Sequence, residues 1–294
     1  MSEEAKGDAR WTSLRVVAWS AKYLAERGVE DPRLTAELLL AHELGWQRID
    51  LYTRFEEVLP DEPLARFREK LKSRGRRVPL EYLTGRVEFL GLDLAVDPRV
   101  LIPRPETELA AERALALVAD AAKPRALDLG TGSGCIAVAM AAGHEGARVT
   151  ATDSSPGALA VARANAERHG LAKRIEFLAG DLYEALPEGA APFDLIVSNP
   201  PYVSPAERDS LQPEVRDHEP PEALFTSGDP LEVVARIVRG APAHLAAGGH
   251  LVVEIGSGSG ARARDLVGQT ENLALIEIAK DLAGLDRLLV ARKP

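Results

Sequence analysis

The chain has 294 residues, 46% of them hydrophobic and 28% charged, a composition for about two ordinary globular domains. Its single cysteine, Cys135, excludes an internal disulfide framework and a thiolate metal cluster, and it fits a reducing compartment. The net charge of −9 is uneven: residues 1–80 hold 15 Lys+Arg against 14 Asp+Glu and the remainder holds 21 against 31, which disfavours the later part as a surface for wrapping nucleic acid.

The N-terminus pairs no basic stretch with an apolar run, and no segment reaches the ~18 consecutive apolar residues of a membrane span. A cytoplasmic protein without membrane contact is expected. Leu14, Val17, Ala18, Ala21, Leu24 and Ala25 recur at helical spacing, with Gly28 as the stop. Asp31-Pro32 restarts a helix whose predicted apolar face carries Leu34, Leu38, Leu39 and His42. Pro63 opens another, predicted to reach about Ser73. Trp11, Trp19 and Trp46 are expected as helix-packing residues, and the basic run Arg66–Arg77 as a solvated helix face. Val87, Phe89, Leu92, Leu94 and Val96 around Gly91 predict a short hairpin. The expected organisation is a helical domain over 1–80, a hairpin linker over 81–105 and a larger domain over 106–294.

From residue 106 a helix is predicted to about Ala122, and then strands and helices alternate. Strands are expected at Arg125–Leu129, Ala147–Asp153, Arg174–Ala179, Phe193–Ser198 and His250–Ile255. Helices are expected at Cys135–Ala142, Pro156–His169 and Leu231–Ala246, and Gly256–Gly260 as a short loop. Two late apolar runs, Leu273–Ala279 and Arg287–Ala291, are joined too tightly for a helical crossover, so they are predicted to be antiparallel. This alternation implies an α/β fold: a doubly wound, Rossmann-like sheet of seven mostly parallel strands.

Asp128-Leu129-Gly130-Thr131-Gly132-Ser133-Gly134 forms the first strand-to-helix turn. Glycines let a backbone approach a ligand, and the helix that follows aims N–H groups and partial positive charge at it. A pyrophosphate or an amino-acid carboxylate would suit such a turn. Gly132 through Ala137 satisfies the dinucleotide pattern, with Asp153 21 residues beyond Gly132, so a nicotinamide cofactor is formally allowed. A ligand-free structural turn is the plain alternative. Acids after three successive strands, Asp128, Asp153 and Asp181, favour S-adenosylmethionine: loop and amine positioning, ribose hydroxyls and adenine amino group, respectively.

Asn199-Pro200-Pro201-Tyr202 follows the strand FDLIVS at the same rim. The Asn199 side-chain carbonyl and the Pro200 main-chain carbonyl can each accept one N–H of a planar NH2 group. Two acceptors hold a weak nucleophile and offset the charge that grows as it attacks a methyl. The prolines fix φ and remove competing donors, and Tyr202 offers a flat face. This chemistry needs no metal.

With these residues in hand, the chain resembles the HemK/PrmC family of peptide-chain-release-factor glutamine methyltransferases over nearly all residues after about 79. Pro79–Gly85, the LIPRP-x-TE signature at Leu101–Glu108, Asp128–Gly134, Asp153 and Val197–Tyr202 carry the likeness. Glu214-Val215-Arg216, Glu219-Pro220 and Lys280–Gly284 are similar to later signatures. The resemblance implies an N-terminal domain that recognises a release factor, and methylation of the glutamine in its Gly-Gly-Gln loop. A monomer is expected, and the acidic balance of the later part argues against direct nucleic-acid contact. The resemblance also implies that Arg104 and Thr107 lie near the cofactor or substrate entrance, and that Leu182 stands where some members place an aromatic beside adenine. The competing expectations are an amino-methyltransferase acting on adenine or guanine of nucleic acid, and a non-catalytic binding protein.

Overall fold

The computed structural model describes residues 11–294. The chain divides into two compact units, one of residues up to Gly85 together with Pro213–His218, the other of Arg86–Gln212 with Glu219–Pro294. Elements are numbered along the chain.

The first unit is helical: α1 (Ser13–Ala25), α2 (Pro32–Leu44), α3 (Asp50–Thr53), α4 (Asp61–Gly75), α5 (Leu80–Thr84) and α9 (Pro213–His218). Val16, Val17, Leu24, Leu39, Leu40 and Phe67 are among its fully buried core residues. The predicted face of α2 is corrected: Ala36, Leu39 and Leu40 are buried, whereas Leu34 and Leu38 are exposed. Trp11 and Trp19 are exposed as well, and of the three tryptophans Trp46 packs against the core. The basic run is not a free solvated face. Arg66 and Lys70 meet the buried Glu43, and Arg74 and Arg77 both bind Glu214 of α9, at 2.7 and 2.6 Å. Periodicity alone could not show this, because the acid that answers Arg74 lies 140 residues away in sequence.

The second unit opens with the hairpin β1 (Arg86–Phe89) and β2 (Leu92–Ala95), paired antiparallel around Leu90-Gly91. Helix α6 (Pro105–Val118) leads into β3 (Arg125–Leu129), α7 (Cys135–Gly143), β4 (Arg148–Asp153), α8 (Pro156–Arg168), β5 (Ile175–Ala179) and β6 (Phe193–Ser198). After α10 (Pro221–Leu224) come α11 (Glu232–His244), β7 (Leu245–Glu254), α12 (Gly260–Gly268), β8 (Ala274–Lys280) and β9 (Asp286–Arg292). The seven strands of the large sheet run in the order β5-β4-β3-β6-β7-β9-β8, parallel except for the pairs made by β9. Helix α12 was not expected, because its glycine-rich start hides a short amphipathic helix whose Ala263, Leu266 and Val267 are buried.

Period-two patterning covers both sheet faces. Ala126, Leu195, Val197 and Val252 join a core with α6, α7 and α8, while Leu127, Ile196, Leu251 and Val253 join another with α11 and α12. The hairpin belongs to this second unit. The buried Asn165 of α8 accepts from the Ala95 N–H at 2.7 Å and donates to the Ala95 carbonyl at 3.0 Å and the Ser133 carbonyl at 2.9 Å.

Candidate active site

Strand order places the site. From β3 the chain moves outward to β4 and β5 and then returns to pair β6 on the other side of β3, creating a switch point where ligands of such sheets bind beyond the carboxyl ends. Register then lines up the chemistry. Leu129 is level with Thr152 and with Ser198, Asp153 with Ala179, and Ser198 with Val253. The next residues along that edge are Gly130, Asp153, Gly180, Asn199 and Glu254. Ser198, fully buried, donates its hydroxyl to the Leu129 carbonyl at 2.7 Å and ties the two central strand ends together.

A cavity of about 450 Å3 opens there, lined among others by Gly130, Thr131, Gly132, Ser133, Asp153 and Asn199. Thr107, Asp181, Leu182 and Pro201 also lie on its wall. Gly132 and Gly134 have φ of 55° and 81°, and a Cβ on Gly134 would come 3.0 Å from the Ala162 Cβ of α8. Leu182 is held at φ 49°, in the left-handed region that side chains disfavour. Arg104, by contrast, is off the wall: its guanidinium pairs with the buried Glu219, which also accepts the Ile102 N–H at 3.2 Å. Pro200 and Tyr202 also stand outside the lining set.

Asp128 sits fully buried beneath the loop. Its Oδ2 accepts from the Thr131 hydroxyl at 2.6 Å and from the Ala137 N–H at 3.1 Å. Oδ1, equally buried, has no partner among the described residues. Burial pushes this carboxyl up to about 7 against the two hydrogen bonds, with the Asp153 charge adding to the rise. Asp153 accepts the Gly132 N–H at 2.9 Å through Oδ2 and the Ser155 N–H at 2.8 Å through Oδ1. Each of its oxygens retains a lone pair for a further donor. Burial raises Asp153 too, opposed by those N–H groups. Asp181 accepts from Arg236 at 2.7 Å. Cys135 is a buried thiol pushed up to about 12, chiefly by burial, and is no nucleophile.

Glu254, at the end of β7, was missed in the sequence. It is fully buried, and accepts the Thr107 hydroxyl at 2.8 Å and the Tyr202 hydroxyl at 3.0 Å. Asn199 in turn donates its Nδ2 to Thr107 Oγ1 at 3.0 Å. Burial raises both the Glu254 carboxyl and the Tyr202 phenol. Tyr202 is therefore engaged through its hydroxyl, an anchored ring rather than a loose one. The available signal was the strand HLVVEI itself, where an acid among apolar neighbours demands partners.

The donor set suits a cationic, ribose-bearing ligand. A buried carboxylate oxygen without a partner among the described residues is costly, and a cation bound at the turn above Asp128 would offset that cost. The positive-φ Gly130 and Gly132 leave open space where a Cβ would stand. No group of His, Cys, Asp and Glu among the described residues is arranged to hold a metal ion.

Comparison with known proteins agrees with this geometry. A model of the PrmC N-terminal domain matches residues 15–85, and one of the methyltransferase small domain matches residues 109–215. A release factor glutamine methyltransferase of Geobacter sulfurreducens is 45% identical over 284 residues, 96% of this chain and 97% of its own. That of Rhodopirellula baltica is 40% identical over 294 residues, 99% of each chain. Among solved structures, a T. thermophilus 16S rRNA N2 methyltransferase in complex with AdoMet and guanosine has a TM-score of 0.51 at 22% identity, covering 71% of this chain and 50% of that one. That likeness is one of fold. The helical unit, the seven-stranded sheet and identity along almost the whole length place this chain in the family of release factor glutamine methyltransferases.

Proposed function

We propose that this chain transfers a methyl group from S-adenosylmethionine to the side-chain amide nitrogen of the glutamine in the Gly-Gly-Gln loop of peptide chain release factors. The observation that carries the reading is the orientation of Asn199: its NH2 is bound to Thr107, which leaves the carbonyl oxygen as the group on offer at the cavity.

The glycine turn and Asp128 would hold the methionine portion, Asp153 the ribose hydroxyls, and Asp181 with Leu182 the adenine. Bound there, S-adenosylmethionine supplies an electron-poor methyl on a sulfonium. The residues of the chain do the rest. Asn199 Oδ1 and the Pro200 carbonyl each accept one N–H of the glutamine amide, which orients the nitrogen and stabilises the positive charge it gains. The Pro200 carbonyl is followed by Pro201, which has no N–H of its own to compete. One N–H proton leaves to water after the new C–N bond has formed, so no strong base is required beforehand. We assign the protein to the cytoplasm, as a monomer with a protein substrate and no direct nucleic-acid contact; the acidic balance of residues 81–294 supports the last point. The test is transfer of labelled methyl to a purified release factor. Labelling is expected with the wild-type factor and not with its Gln→Ala variant, and transfer to naked RNA or DNA instead would overturn the substrate.

A further inference from the structure

A primary amide has two nearly isosteric ends, so an asparagine free to flip would present its NH2 to a substrate NH2 about as readily as its oxygen. Two donors facing one another would repel the substrate nitrogen. Something must therefore decide the flip of Asn199, and neither the cofactor loop nor the prolines can do so.

We propose that Glu254 and Thr107 are positioning residues that lock the Asn199 amide with its oxygen toward the substrate nitrogen, an inference that rests on the function proposed above. The argument is a count of hydrogens. An ionised carboxylate only accepts. Glu254 takes the Tyr202 hydroxyl on Oε1 and the Thr107 hydroxyl on Oε2. A threonine hydroxyl has one hydrogen, and that of Thr107 is committed to Glu254. Its oxygen then has only lone pairs to offer Asn199 at 3.0 Å, and a lone pair accepts from NH2 and repels C=O. The direction of every bond follows from Glu254, whichever way the amide is drawn. Sheet register makes the relay possible: Ser198 is level with Val253, so Asn199 and Glu254 leave adjacent strands side by side. Thr107 reaches them from the first turn of α6, fully buried. The threonine of LIPRP-x-TE thus acts on the asparagine of NPPY, and the glutamate acts through the threonine. Burial raises the Glu254 carboxyl on balance; the Thr107 and Tyr202 hydroxyls and Arg287 oppose that rise and favour the ionised, accept-only form on which the relay depends.

The test is Thr107→Val, which keeps the shape and removes the hydroxyl, with Thr107→Ala as a second variant should the first not fold. With S-adenosylmethionine and an intact release factor, kcat is expected to fall about 10- to 100-fold, while the KM for the factor and the Kd for S-adenosylmethionine move less than about threefold. Thr107→Ser, which retains the hydroxyl, should restore kcat to within about threefold of wild type. In an Asn199→Ala background, Thr107→Val should change single-turnover rates by less than about twofold, because its target is gone. A merely structural threonine would lower the rate in both backgrounds, and that result, or full activity in Thr107→Val, overturns the relay. Full activity in Asn199→Ala would overturn the underlying function instead, so the two failures are distinguishable.

Discussion

Replacing Asp128 with asparagine should make the ligand-free protein more stable and its cofactor binding weaker. The side chain now accepts two hydrogen bonds on Oδ2 and leaves Oδ1 buried without a partner. Asparagine can keep both bonds on its single oxygen and place NH2 where Oδ1 stood, so the loop keeps its supports while the charge disappears. The sign follows from linkage. The folded carboxyl is raised from its ordinary 3.8 to about 7, so its contribution to stability is full below pH about 4 and is lost as pH rises through 7. A rise of that size corresponds to up to about 4 kcal/mol at alkaline pH. Denaturant unfolding of the ligand-free protein at pH 8 should therefore show Asp128→Asn more stable than wild type by a few kcal/mol, with the difference vanishing near pH 4. On the function proposed, S-adenosylmethionine would bring its ammonium to this loop, and a charge-assisted interaction in a dry site contributes about 1.5–3 kcal/mol. Calorimetry at pH 8 should accordingly give a Kd raised about 10- to 100-fold in the variant, and affinity in the wild type that strengthens from pH 6 to 8. Asp128→Asn that is less stable than wild type at pH 8, or that binds S-adenosylmethionine equally well, would refute the reasoning.

Asn199→Ala should lower kcat about 100- to 1000-fold, the cost of removing one preorganised partner of the developing charge, with little change in the Kd for S-adenosylmethionine measured by calorimetry. Glu214→Ala strands Arg74 and Arg77 inside the helical unit and should destabilise that unit by about 3 kcal/mol, read from tryptophan fluorescence during urea unfolding. Gly134→Ala combines a φ of 81° with a 3.0 Å approach to Ala162, and should cost about 1–2 kcal/mol in stability while weakening S-adenosylmethionine binding. Unchanged melting and affinity in that variant would mean that the turn relaxes freely.

Much of the sheet was legible because its central strands, such as β3 and β6, are covered on both faces and read as short apolar runs ended by turn residues. Phe193–Ser198 and Arg125–Leu129 were predicted to the residue. Elements stabilised by distant partners were not legible. α9 is six residues long and is held by Arg74 of α4 and by Arg77 just beyond that helix, which local patterning cannot register. The face of α2 was misjudged because leucine spacing alone does not say where Glu37 and Glu43 are buried; Glu37 is held by Arg33 and Arg48, and Glu43 by Arg66 and Lys70. In the site, glycines and prolines announced themselves, since special backbone geometry restricts the residue type. Glu254 did not, because its meaning depends on Thr107 and Tyr202 meeting it across 147 and 52 residues of sequence.

The bonds of Asn165 have a consequence for how ligand entry can be watched. One amide side chain stands in for a missing strand neighbour at Ala95 and grips the Ser133 carbonyl of the glycine turn with the same NH2. Solvent exchange of the Ala95 amide proton should thus slow when the turn is loaded, although Ala95 touches no part of the cavity wall. The hairpin becomes a remote gauge of occupancy at the glycine turn.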